Sequence, residues 1–162
     1  MENGAHRRRL ILYGGLTLLI MAFIYIMSAQ DGEHSENLSN GFLRSLIGEF
    51  LERVLPQLTG SGAENDIRKY AHVFEFFCLG CSSFLFFHEW LLERAARVSR
   101  AFVRAAVFSL LYACTDELHQ TFVPGRAGIL KDVLIDGTGI FCGVLLMGAL
   151  AWLQGKNRTK TK

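Results

Sequence analysis

The residues best suited to chemistry crowd into one stretch, DELHQTFVPGRAGILKDVLID, which sets Asp116, Glu117, His119, Gln120, Arg126, Lys131, Asp132 and Asp136 between two apolar segments. A second group, Arg68, Lys69, His72 and Glu75, stands in IRKYAHVFEF. Carboxylates and imidazoles in such numbers suit two chemistries. They could hold a divalent metal such as Mg, Mn or Zn, or they could trade protons as general acid and base. Arg68, Lys69 and Arg126 add positive charge for a phosphate or carboxylate, which arginine grips through two parallel hydrogen bonds. No helical His-Glu-x-x-His pattern is present, and the Asp116-x-x-His119 spacing is too common to choose between metal and proton transfer.

The elements that must carry these residues are apolar and long. Apolar residues make up 51% of the 162, a share that fits a membrane protein and one domain over 1–162. Candidate spans fall at about 10–28, 69–90, 101–122 and 129–153. Each approaches the ~20 residues needed to cross a ~30 Å hydrocarbon layer. The first follows Arg7, Arg8 and Arg9, a basic start that a cleaved signal peptide shares. Its length favours an uncleaved anchor, with Ser28-Ala29-Gln30 keeping the signal alternative open.

Between the first two spans lies a polar connector. In it Leu38, Phe42, Leu46, Phe50 and Val54 recur every fourth residue, predicting an amphipathic helix that Pro56 ends. In the second span Arg68, Lys69, His72 and Glu75 follow steps that place them on one helical side. In the third, Asp116, His119 and Gln120 share a face with Tyr112 one turn before. Gly137, Gly139, Gly143 and Gly148 mark the fourth as a helix that others can approach closely, or through which a homodimer could form.

Cys78 and Cys81 form a C-x-x-C inside the second span, where small apolar packing is the simpler role. The phenylalanines from Phe74 to Phe87 read as lipid-facing or core bulk, and His88 and His34 as solvated. Arg94, Arg97, Arg100 and Arg104 fit a topology signal and phospholipid contact, which speaks against nucleic-acid binding.

Lysine and arginine are divided unevenly. Eleven flank the N-terminus, the 89–104 link and the C-terminal tail, against six in the 28–69 connector and the 123–131 loop. By the positive-inside rule both termini face the cytoplasm and the acidic connector faces out. The two polar groups, Arg68 to Glu75 and Asp116 to Asp136, then fall in the outer half of the membrane or just above it.

Three pieces, SAQDG followed by Ser35 and Ser39, IRKYAHVFEF, and DELHQTFVPGRAGILKDVLIDGTG, together resemble the VanZ-like family of small bacterial membrane proteins. The family takes its name from a teicoplanin-resistance protein. The resemblance spans about residues 25–145, and its specificity comes from the three pieces standing in order. Two positions depart from the family pattern: Phe76 stands where a Tyr is frequent, and Ile129 where a Ser is usual. The resemblance implies a multi-span protein of the bacterial cytoplasmic membrane, linked to reduced action of teicoplanin-type glycopeptides.

The expectation is therefore an all-α integral membrane bundle of four transmembrane helices, with an extracytoplasmic amphipathic helix between the first and second. Its outward polar pocket would bind an anionic membrane-linked ligand, a lipid-linked cell-wall precursor or the glycopeptide itself. Arg68, Lys69, His72, Glu75, Gln120 and Arg126 would be the ligand contacts. The alternative is a membrane hydrolase or transferase acting on a lipid-linked phosphate or acyl group, with His119, Asp116, Asp132 and Asp136 as the catalytic set and a divalent metal as an open possibility. A plainer reading makes the same groups an interhelical network that only sets packing.

Overall fold

The computed structural model describes residues 2–29, 63–91, 97–124 and 130–160, with side chains over 4–29, 70–91, 98–124 and 130–156. The chain forms four helices in these segments: α1 (Glu2–Ser28), α2 (Ala63–Trp90), α3 (Arg97–Gln120) and α4 (Leu130–Lys160). Within them, stretches of 25, 21, 23 and 27 residues are long and apolar enough to cross a membrane. Each helix extends beyond, or lies offset from, its expected span, because polar sequence such as Ala63–Lys69 and Lys156–Lys160 continues the helix past the apolar stretch. The amphipathic helix expected around residues 38–54 lies outside the described residues.

α2 is the central helix and contacts each of the other three, most extensively α4. Glycine explains that closeness. A side chain at Gly139 would run into the carbonyl oxygen of Val73, and one at Gly143 into that of Phe77. α2 reciprocates with Gly80, whose missing side chain leaves room for the backbone of Ile140. Backbones can come this near only where neither helix carries a Cβ at the crossing. Gly137 and Gly148 also face inward, toward Leu110 and toward Phe84 and Phe102. The glycine face of α4 is thus occupied within one chain, so a dimer through that face is not what it serves.

α3 contributes a stripe of small residues, Ala101, Ala105, Ser109 and Ala113, all fully buried. Their four-residue step keeps them on one side of a helix. Ser109 Oγ donates to Ser83 Oγ of α2 at 3.2 Å. The core is completed by Ile24, Phe76, Leu79, Phe84, Leu91, Ile140 and Val144. Phe76 and Phe84 are core, whereas Phe74 is exposed. Cys78 and Cys81 are half-buried free thiols, and Cys81 Sγ donates to the Gly143 carbonyl at 3.6 Å. His88, expected in solvent, is half-buried and stacks on Phe84 with ring centroids 5.4 Å apart.

α1 packs mainly against α2 and more lightly against α3. Ile24 and Ser28 are fully buried, while Ile11, Leu12, Leu18 and Leu19 on its other side are exposed, as lipid contact requires. At its N-terminal end His6 Nδ1 and Arg9 Nε meet Glu89 Oε1 at 3.1 and 3.0 Å. Glu89 is buried, so the Arg9 guanidinium and the His6 ring compensate an acid held at the end of α2. The antiparallel order places this contact at the same end as Trp90, over which Arg104 lies at 5.2 Å. Ser28, His72, Asp116 and Asp136 belong to the opposite end.

Candidate functional site

The polar end is built from the last turns of α1 and α3 and the membrane-entering turns of α2 and α4. On α3 the small-residue stripe continues past Ala113 into Asp116, Glu117 and Gln120, all buried. The face that lets α3 pack closely therefore carries its carboxylates inward.

Asp116 is the hub. Its Oδ2 accepts from Ser28 Oγ at 2.8 Å and from Gln120 Nε2 at 2.9 Å. Gln120 Nε2 also reaches Ser28 Oγ at 3.4 Å, which closes a three-residue set across α1 and α3. Ser28, Asp116 and Gln120 are 0%, 3% and 8% exposed, so the carboxylate is held by donors rather than by water. One turn earlier, Tyr112 donates its hydroxyl to the Met21 carbonyl at 2.6 Å, fixing the same helix pair. His119 is half-buried with its ring centroid 4.5 Å from that of Tyr25, and its Nδ1 is buried and has no hydrogen-bond partner among the described residues.

α4 brings Asp132 in its first turn and Asp136 one turn on, half-buried and buried respectively. Glu117, Asp116, Asp132 and Glu75 all stand near enough to Asp136 for their charges to act on it. His72 and Glu75 are half-buried on α2, with His72 stacked along Phe76. Carboxylates gathered in a poorly solvated place are unfavourable unless cations or donors offset them.

The expected site residues thus divide. Asp116 and Gln120 come into direct contact, Asp136 joins them electrostatically, and His119, Asp132, His72 and Glu75 occupy the same end of the bundle. Arg68 and Lys69 lie in α2 next to His72, but their side chains, like all of Arg126, fall outside the described residues. Among the described residues no three His, Cys, Asp or Glu side chains converge as a metal ion would require.

Sequence reasoning missed Ser28 as a site residue and passed over Glu117. Ser28 had one available signal: it is the hydroxyl that ends an apolar run and begins the SAQDG piece. Glu117 is next to Asp116, yet both are buried, because α3 packs against all three of the other helices.

Four apolar spanning helices with a buried polar set at one end define a multi-pass membrane protein. A model of the VanZ/LLP1 family matches residues 14–151, most of the chain, so the chain belongs to that family. No curated protein and no solved structure matches it.

Proposed function

We propose that this VanZ-family protein lowers the action of teicoplanin-type glycopeptides from the bacterial cytoplasmic membrane, by binding an anionic membrane-linked ligand at its polar end. That ligand is a lipid-linked cell-wall precursor or the membrane-inserted part of the drug. The observation that carries the reading is the buried Ser28–Asp116–Gln120 set with Asp136 and Glu117 beside it. Helix association alone gives little reason for such a concentration, since interhelical polar contacts average only ~0.6 kcal/mol each. In this reading the carboxylates orient Arg68, Lys69 and Arg126, and those cations, together with His72, Glu75 and Gln120, meet the ligand. Both termini are cytoplasmic and the polar end faces out, in keeping with the distribution of lysine and arginine.

The test is susceptibility of a host expressing the protein to teicoplanin and to vancomycin. The wild type raises tolerance of teicoplanin, and Arg126→Ala, produced at equal level in the membrane, loses most of that effect. No change in tolerance of either drug on expression of the wild type rules the reading out.

One observation supports an enzyme instead: His119 holds a buried ring nitrogen without a partner among the described residues, the kind of group that moves protons. A hydrolase or transferase built on His119, Asp116, Asp132 and Asp136 would lose function in Asp136→Asn while still binding its ligand. Full function in that variant argues for binding alone.

A further inference from the structure

A groove of about 730 Å³ runs along the outside of the bundle between α3 and α4, at the end opposite the polar set. Val98, Phe102 and Val103 form one wall, and Leu145, Ala149 and Trp152 the other. The lining is apolar apart from Ser99. Gly148 sits in its floor, where the missing side chain deepens it. From Leu145 to Trp152 the α4 wall is about 10 Å long at 1.5 Å per residue. Both walls belong to membrane-spanning helices, so hydrocarbon surrounds the groove.

Charge distinguishes its mouth. Lys156 holds its ammonium over the Trp152 ring at 5.2 Å, directly at the edge of the groove. By sequence, Arg97 and Arg100 occupy the first turn of α3 and Arg158 and Lys160 the last turns of α4. No acidic residue occurs in 97–115 or 137–162. An apolar slot in the hydrocarbon layer with the Lys156 ammonium at its edge is complementary to a lipid with one chain inside and a negative headgroup at the surface.

We propose that this groove is a site for an anionic glycerophospholipid of the bilayer, with an acyl chain between α3 and α4 and the phosphate at Lys156. The site is separate from the polar end and does not depend on the function assigned there.

Trp152 reports occupancy directly. In a Trp90→Phe background it is the only tryptophan, and bromine on an acyl chain quenches its fluorescence on contact. The protein, reconstituted in phosphatidylcholine vesicles, is titrated with brominated phosphatidylglycerol or brominated phosphatidylcholine. Quenching by the anionic lipid should saturate at a several-fold lower mole fraction than quenching by the zwitterionic one. Lys156→Gln should weaken that preference roughly five-fold, the effect of one surface cation. Ala149→Phe should reduce quenching by both lipids by filling the slot from an exposed position. Equal quenching by the two lipids, or a preference unchanged in Lys156→Gln, overturns the proposal. So does a Trp152 that neither lipid quenches, which would mean that a second copy or another protein covers the groove.

Discussion

Asp116 accepts two hydrogen bonds on one oxygen, from a serine on α1 and a glutamine one turn along its own helix. This geometry separates charge from shape as contributors to stability. Asp116→Asn keeps an amide oxygen able to accept from both donors. Asp116→Ala leaves the Ser28 hydroxyl and the Gln120 amide buried without their acceptor, at about 1–3 kcal/mol for each group. In thermal unfolding in mild detergent, Asp116→Ala should fall well below the wild type and Asp116→Asn much less. Equal losses in the two variants would contradict the role given to the donors. From the sequence, Asp116 and Gln120 could be placed on one face by spacing alone. Ser28 could not be paired with them, because 88 positions separate it from Asp116 and nothing local in either segment encodes their meeting.

At the scale of the helices, glycine sets the closest packing. The Gly139-x-x-x-Gly143 spacing was legible as a surface for close approach, and the structure fills it with α2 rather than with a second copy. The partner was not legible, since Gly80 is a lone glycine in an aromatic-rich helix. Its value appears only when it meets the backbone of Ile140. Gly143→Leu forces a side chain into the Phe77 carbonyl. It should destabilise the bundle by about 1–3 kcal/mol or more, as overpacked sites do. Gly155→Leu is the control, because nothing lies within 4 Å of a side chain at that position. A similar melting temperature for both variants would refute the close α2–α4 crossing. The α1 attachment follows a different logic, with an acid on α2 compensated by His6 and Arg9 at one end and hydrogen bonds to Asp116 and from Tyr112 at the other. Only the basic half of that arrangement was visible beforehand, read as a topology signal. Glu89 was hidden beside Trp90 at the end of an apolar run.

For the whole molecule, the four spans were legible because length and apolar content dominate what a membrane allows. The two least apolar spans are α2 and α3, which carry His72 and Glu75, and Asp116 and Glu117. The sorting of charge between the ends was also legible. The end rich in arginine and lysine holds the Glu89 contact and the Trp90 and Trp152 cation–ring pairs. The other end holds Asp116, Glu117 and Asp136, all buried. If the basic end is cytoplasmic, a fluorescent protein fused to Lys162 should mature and an alkaline phosphatase fused there should stay inactive. The reverse pattern would invert the molecule and place the polar set on the cytoplasmic side, against the proposed function.

The proposed function turns on whether the polar end binds an anionic lipid-linked group. The most direct measurement is native mass spectrometry of the full chain released from nanodiscs containing an isoprenoid phosphate, with wild type, Arg126→Ala and Asp136→Asn compared. The wild type should retain the isoprenoid phosphate, Arg126→Ala should lose it at an unchanged melting temperature, and Asp136→Asn should hold it more weakly, as the proposed orienting of the cations by the carboxylates requires. Equal retention by all three proteins, or none by any, would contradict the central claim and leave the buried carboxylates as packing alone.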